Sequence, residues 1–345
     1  MKVLPTTLLL NEKKIGVALI GAGRMGLTHA QTLGNIGSAK AIVVADANLE
    51  AAQHGQHLAR AERTSQDIEA AMNDSDVDAV MIVTPTNTHA ALIQMAAKAG
   101  KAIWCEKPIA LSIEETKATL EFVQKAGVAC QIGFQRRFDP GYVAAKRLIE
   151  DGKLGKLETF RSLGRDTYLP NPDHIRPGGG TFLDMTVHDF DLARFLIGEV
   201  LEVSAWGTVL AHEMFAEAED CDTAVCMLRF ENGVLGVVES ARHSNWGYDI
   251  RTEVAGAEGK VVIEAPHKTP MQHFTNFKQH TDVFLNFPDR FADAYRLQME
   301  AFFDALVNGT TPSPGPKDAL ETLRICLAAK QSWQQGKPIK VQDVE

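Results

Sequence analysis

The stretch that most constrains this chain is a glycine-rich turn set between two patterned runs. Ile15-Gly16-Val17-Ala18-Leu19-Ile20 reads as a buried strand, and Leu27-Thr28-His29-Ala30-Gln31-Thr32-Leu33 as the body of a helix. Between them lies Gly21-Ala22-Gly23-Arg24-Met25-Gly26. Gly21 permits a sharp turn, Gly23 lets a pyrophosphate approach the backbone, and Gly26 allows the helix to pack close to the strand. The N–H groups that open the helix then face an anion. Glycine turns between strands and helices also arise for packing alone, so the surroundings matter. A second apolar strand, over 41–45, ends at Asp46, 20 residues beyond Gly26. A carboxylate there accepts hydrogen bonds from an adenosine ribose and repels a 2′-phosphate, which favours NAD over NADP. Capping of the helix that follows Asn48 is a second use for the same residue.

Strand and helix patterns alternate through residue 133. The apolar run 77–83 ends in Thr84-Pro85-Thr86-Asn87-Thr88-His89, and the run 101–105 leads straight into Glu106-Lys107-Pro108. Ser112 with Glu115 forms a capping box for a helix to about Lys125, and 128–132 supplies a further strand. This alternation predicts right-handed βαβ units and a doubly wound parallel sheet, a Rossmann domain over 13–133. Ligands of such sheets sit outside the carboxyl ends of the strands, so Thr84 and Pro85 are candidates to line a cofactor. Asn87 or Thr88 would then cap a helix over 89–99.

Beyond residue 134 the pattern changes. A helix opens at Asp139-Pro140-Gly141, and strands follow over 157–163, 200–210, 223–230, 234–241, 248–255 and 260–264. Hairpin signals such as Glu231-Asn232-Gly233 separate some of them. Helices are predicted over 187–196, 289–307 and 317–334. This is the pattern of a C-terminal α+β domain, 134–345, with a large, mostly antiparallel, open-faced sheet. Apolar residues on the open face favour a homo-oligomer, a dimer or tetramer.

Composition narrows the function classes. A formal net charge of −9 argues against a nucleic-acid surface, although an anionic cofactor needs only a local positive pocket. The five cysteines show no CxxC spacing, and Cys105, Cys130 and Cys326 sit in or beside apolar stretches, as buried thiols do. The short patch Leu8-Leu9-Leu10 runs at once into Asn11-Glu12-Lys13-Lys14 and lacks the features of a signal peptide. No run reaches the ~20 apolar residues that span a bilayer. A cytoplasmic location without membrane attachment is expected.

Two constellations carry chemistry. Lys107 stands at the carboxyl end of a parallel strand, where it can stabilise the alkoxide character of a hydroxyl losing its proton. The second is Gly178-Gly179-Gly180-Thr181-Phe182-Leu183-Asp184-Met185-Thr186-Val187-His188-Asp189-Phe190-Asp191. Asp184 and His188 are four apart, on one face of a helical turn. A carboxylate beside an imidazole orients it and raises its proton affinity, which suits general-base work. A capping Asp with an interior His is the structural alternative. Asp189 and Asp191 add acidity, but His174 lies across a loop and no HxxxH or HxxE element repeats, so no metal site is expected.

The sequence resembles the glucose–fructose oxidoreductase / inositol dehydrogenase / rhizopine-catabolism (Gfo/Idh/MocA) family, from Ile15 to about Gln334. The resemblance rests on GAGRMG (21–26), EKP (106–108), GFQRRFDP (133–140) and GGGTFLDMTVHDFDLARFL (178–196). Within the family, DMTVHDFD, GYDIRTEV (247–254) and RFADAY (290–295) are most similar to the inositol 2-dehydrogenase branch. That resemblance implies NAD-dependent, metal-free oxidation of a ring hydroxyl of a polyol such as myo-inositol, with other sugars of the same family as alternatives. It implies Lys107, Asp184 and His188 as the catalytic triad. Gly21, Gly23, Arg24, Met25, Gly26, Asp46, Thr84, Pro85, His89, Glu106 and Lys107 would hold the cofactor. Arg137, Asp166, Tyr248 and Tyr295 would line the substrate pocket with the triad. The sequence departs from the family around Leu163-Gly164-Arg165-Asp166, and the loop through Pro170, Pro172 and Pro177 is its own.

Overall fold

A computed structural model describes residues 14–345; the Leu8–Leu10 patch and Lys13 lie outside them. The first half is β1 (Ile15–Ile20), α1 (Arg24–Leu33), β2 (Ala39–Ala45), α2 (Leu49–Ala59), β3 (Arg63–Ser65) and α3 (Ile68–Asn73). It continues through β4 (Ala79–Ile82), α4 (Thr86–Lys98), β5 (Ala102–Cys105), α5 (Ile113–Ala126) and β6 (Cys130–Ile132). All six strands are parallel, in the order β3-β2-β1-β4-β5-β6. Val17, Ala18, Leu19 and Ile20 are fully buried because both faces of the sheet are covered, which is why these strands read as unbroken apolar runs. The order reverses between β1 and β4, and the turn after β1 opens on that crevice.

The turn has the geometry its glycines require. Gly21 adopts φ +97°, and a Cβ there would lie 2.5 Å from the Val83 carbonyl oxygen. A Cβ on Gly26 would fall 2.2 Å from the Gly21 carbonyl oxygen, so helix and strand pack through this residue. At Gly23 a Cβ would meet no protein atom within 4 Å, and protein packing therefore gives no reason for glycine there. Two local readings of the sequence are corrected here. Asn48, not Asp46, caps α2 through its side chain. Helix α4 begins at Thr86 with Pro85 at its N-cap, so neither Asn87 nor Thr88 caps a helix starting at 89.

The second half comprises α6 (Pro140–Glu150), β7 (Leu157–Arg165), α7 (Pro172–Ile175), α8 (Val187–Leu196), β8 (Val200–Thr208) and α9 (Met214–Glu217). Next come β9 (Thr223–Phe230), β10 (Leu235–Ala241), β11 (Asp249–Gly256), β12 (Gly259–Ile263), β13 (His267–Thr275) and β14 (Lys278–Val283). The chain closes with α10 (Phe287–Arg290), α11 (Ala292–Asn308), α12 (Pro316–Gln335) and β15 (Ile339–Lys340). Seven strands form one sheet in the order β12-β11-β7-β10-β9-β8-β15. Its pairings are antiparallel except β7–β10, which is parallel because α8, β8 and β9 intervene in sequence. Alternation along β9 buries Ala224, Cys226, Leu228 and Phe230 in the core that α8 and α12 share. The opposite face carries Trp206, Met227 and Leu235, each at least half exposed. The exposed hairpin β13–β14 stands apart as a two-stranded sheet. Helix α11 packs back on the parallel sheet, where Met299, Phe302 and Phe303 meet Leu19 and Trp104.

Candidate active site

Lys107 follows β5 at the carboxyl edge of the parallel sheet, and the Lys107–Pro108 peptide is cis. Its ammonium donates to the Asp184 carbonyl oxygen at 2.7 Å and to Asp184 Oδ1 at 3.3 Å. Asp184 belongs to the other half of the chain, in a π-helical turn, Thr181–Met185, that leads into α8. Gly179 and Gly180 bring the chain into this turn with positive φ, and a Cβ on Gly180 would collide with the Asp220 carboxylate. Lys107, Asp184, His188, Asp166, Tyr248 and Tyr295 all line one cavity between the two sheets.

The Asp184–His188 pair expected from the spacing does not form. The π-helical turn ends at Met185 and α8 starts at Val187, so residues 184 and 188 do not share a regular helical face. Asp184 Oδ2 instead accepts from Arg242 Nη2 at 2.9 Å, while His188 Nδ1 is buried without a hydrogen-bond partner. Burial opposes ionisation of Asp184, yet Lys107 and Arg242 together hold its carboxyl far below the usual range. Burial also depresses His188 well below an ordinary histidine, reinforced by the Lys107 and Arg136 cations, and Asp184 offsets only part of this. The imidazole is thus a neutral base, the reverse of the raised affinity expected from the sequence. Burial raises the Asp166 carboxyl against the pull of Arg242.

Arg137 does not reach the cavity. Its guanidinium holds Asp191 at 2.8 and 2.6 Å and Asp318 at 3.1 Å, beneath α8 and α12. Arg136 takes the expected place: the 3-10 turn Gln135–Phe138 points it inward, where it binds Asp189 at 2.9 Å and lines the cavity. The two acids of the Asp189–Asp191 cluster are thereby neutralised by arginines. Arg136 lies in the GFQRRFDP motif, where the sequence pointed to its neighbour Arg137 instead, and Arg242 has no local sequence signature.

The cofactor side centres on α1. Its N-terminus has no side-chain cap and no acidic residue in its first turn, so its leading N–H groups suit an anionic group. Asp46 Oδ2 accepts from Ala22 N at 2.7 Å and Oδ1 from Asn48 N at 2.8 Å, which places the carboxylate against the glycine turn. Pro85, Thr86 and Asn87 line an adjoining groove together with Arg24, whose guanidinium lies 4.8 Å from the Tyr168 ring and 5.2 Å from Phe287. Met25 lines the cavity itself. Thr84 binds Thr88 through their hydroxyls at 2.6 Å. His89 is buried between two carbonyls, Pro108 O at 2.7 Å and Thr84 O at 2.8 Å, and braces those loops rather than facing the groove. Glu106 Oε1 lies 2.8 Å from His29 Nε2, a buried partner supplied by α1 that sequence reading missed. All five cysteines are buried free thiols. Among the described residues no helix is long and apolar enough to cross a membrane.

Residues 15–134 match the oxidoreductase family with an NAD-binding Rossmann fold, and residues 142–262 match the GFO/IDH/MocA C-terminal domain. The chain is 37% identical over 332 residues to scyllo-inositol 2-dehydrogenase (NAD(+)) of Bacillus subtilis, covering 96% of this chain and 97% of that protein. It is 38% identical over 330 residues to inositol 2-dehydrogenase of Rhizobium meliloti, covering 94% and 98%. Among solved structures, scyllo-inositol dehydrogenase from Lactobacillus casei with bound NAD(H) and scyllo-inositol superposes with a TM-score of 0.90 at 28% identity, covering 96% and 100%. Fold, glycine turn and matched domains lead to one conclusion: this chain belongs to the GFO/IDH/MocA family of NAD-binding oxidoreductases.

Proposed function

We propose that this protein oxidises a ring hydroxyl of a cyclic polyol to a ketone with NAD, with myo-inositol as its foremost substrate and the 2-ketone as product. The observation that carries the reading is the convergence of Lys107, Asp184 and His188 in one cavity, with Asp166 and Tyr248 beside them. The uncapped start of α1 and Asp46 would hold the dinucleotide, and its nicotinamide, when bound, accepts the hydride from the reacting carbon. His188 takes the hydroxyl proton on a neutral imidazole. An ammonium has three N–H donors; Asp184 engages two from Lys107, and the third is left to steady the developing oxyanion. Fixed donors and acceptors read hydroxyl stereochemistry, because a misplaced hydroxyl leaves buried partners unmet. The names of the Bacillus and Lactobacillus relatives favour scyllo-inositol as the second reading.

The reading extends to a cytoplasmic homo-oligomer, a dimer or tetramer. It is supported by the five unpaired thiols and by the exposed Trp206, Met227 and Leu235 on the outer sheet face. The purified protein, its mass measured by light scattering, should produce NADH from at least one inositol when offered inositol isomers and common aldoses. No turnover of any inositol rejects the substrate assignment, and a monomeric mass rejects the assembly.

Asp46→Ser should narrow the preference for NAD over NADP by roughly tenfold or more, the worth of a hydrogen bond to a charged group. The ratio of kcat/KM for the two cofactors measures it, and an unchanged ratio contradicts the ribose role.

A further inference from the structure

The single parallel pairing among the described strands of the seven-stranded sheet has a chemical result. In it Ala241 lies opposite Arg165, so the residues that follow, Arg242 and Asp166, leave the sheet side by side at its carboxyl edge. Asp166 N donates to the Ala241 carbonyl at 3.0 Å, which fixes that neighbourhood. Arg242 is 5% exposed and lines the same cavity as Lys107 and His188. Its guanidinium reaches three groups: Asp184 Oδ2 at 2.9 Å, Asp166 Oδ2 at 3.4 Å and the Thr181 hydroxyl at 3.5 Å.

We propose that Arg242 is a positioning residue of the reaction, a fork that ties Asp184 and Asp166 together and turns the Asp184 carboxylate toward Lys107 rather than His188. The inference rests on the polyol dehydrogenase reading above. With Oδ2 engaged by Arg242, Asp184 has Oδ1 free for Lys107, and His188 keeps an unpartnered Nδ1. Two consequences follow for the chemistry. Lys107 is aimed by an anchored anion, and the two carboxylates become a rigid pair of acceptors for neighbouring substrate hydroxyls. A lysine could not do the same, because a point charge lacks the planar fork that spans two acids.

Besides Lys107 after β5, Arg242 after β10, Asp166 after β7, Tyr168 in the following loop and His188 on α8, Arg24 on α1 and His174 on α7 line the space that Asp184 borders. Among the described residues, only Lys107 and Arg242 are cations in direct contact with its carboxylate. Removing Arg242 takes one of these two cations from the Asp184 carboxylate, so its carboxyl rises and adds to the acid limb that His188 sets in the wild type, moving the loss of activity to higher pH.

The test compares wild type, Arg242→Gln and Arg242→Lys in NAD affinity, kcat, KM and the pH profile of kcat/KM on an inositol. Arg242→Gln should bind NAD as wild type does and lose ~10²-fold in kcat/KM, the scale of a misplaced catalytic group. Its acid limb should move up by about one pH unit or more, the effect of losing an adjacent opposite charge. Arg242→Lys should restore the limb and only part of the rate. Wild-type kcat/KM with an unmoved limb in Arg242→Gln overturns the inference, as does a lysine variant no better than glutamine in the limb. If Arg242→Gln fails to bind NAD through misfolding, Arg242→Lys decides: reduced kcat/KM with intact NAD affinity supports the fork, and wild-type kcat/KM refutes it. An inactive wild type overturns the functional reading and this one together, whereas an active enzyme indifferent to Arg242 overturns this one alone.

Discussion

Lys107→Met is expected to lower kcat by about 10³-fold while leaving NAD affinity close to that of wild type, the upper range for removing one preorganised donor from a developing oxyanion. Methionine keeps much of the side chain's length and removes the ammonium, so the loss reads charge rather than volume. The lysine touches Asp184 twice and reaches the cavity from the Rossmann side, whereas the other groups proposed to hold the dinucleotide lie chiefly at the start of α1, just after β2 and after β4. Cofactor binding and chemistry are therefore separable at this residue. Steady-state NADH formation with fluorescence titration of NAD measures both, and turnover within about tenfold of wild type would remove Lys107 from the oxyanion role.

His188→Ala should reduce turnover ~10²–10⁴-fold, the span of a lost general base. The accompanying pH dependence is specific to this site. A base works deprotonated, and the His188 imidazole is held well below the ordinary histidine value of 6.5 by burial, Lys107 and Arg136. The sign follows: a depressed value keeps the ring neutral to lower pH, so the acid limb of wild-type kcat/KM should fall below 6.5 rather than at it. In the alanine variant the remaining rate should lose that limb. A wild-type limb above 6.5 would contradict the neutral buried imidazole, and full turnover in His188→Ala would falsify its role as base.

Much of the scaffold is legible in the chain because burial leaves simple patterns. Five of the six parallel strands appear as short apolar runs, and α8 occupies the 187–196 predicted from its spacing; the edge strand β3, Arg63-Thr64-Ser65, is polar and half-buried and carries no such run. The hairpin β13–β14 was not legible: every residue of β13 is exposed, so no alternation of apolar and polar positions marks it. The site divides in the same way. Lys107, Asp184 and His188 were recoverable from motifs at a strand end and a helix start. Their bonding was not, because one extra backbone residue in the π-helical turn rephases 184 against 188, and a spacing rule assumes regular helix. Arg136 and Arg137 are adjacent in sequence and face opposite partners, a choice made by Asp189 and Asp191 more than fifty residues away. Arg242 answers to Asp184 and Asp166 across 58 and 76 residues. Such long-range charge pairings have no local period to read.

The Asp46 carboxylate bears on how this lineage could change its redox partner. One oxygen is fastened to the backbone of the glycine turn and the other to the start of the next helix segment. The atoms proposed to receive the ribose are thus also a strut of the loop beneath the pyrophosphate. A substitution that welcomes a 2′-phosphate removes that strut in the same stroke. Divergence toward NADP is therefore epistatic at this position: the first step weakens binding of both dinucleotides, and a second change must re-tether the Ala22 amide before the new preference becomes useful. The preference for NAD is thereby tied to a second job of the same carboxylate, the bracing of the glycine turn.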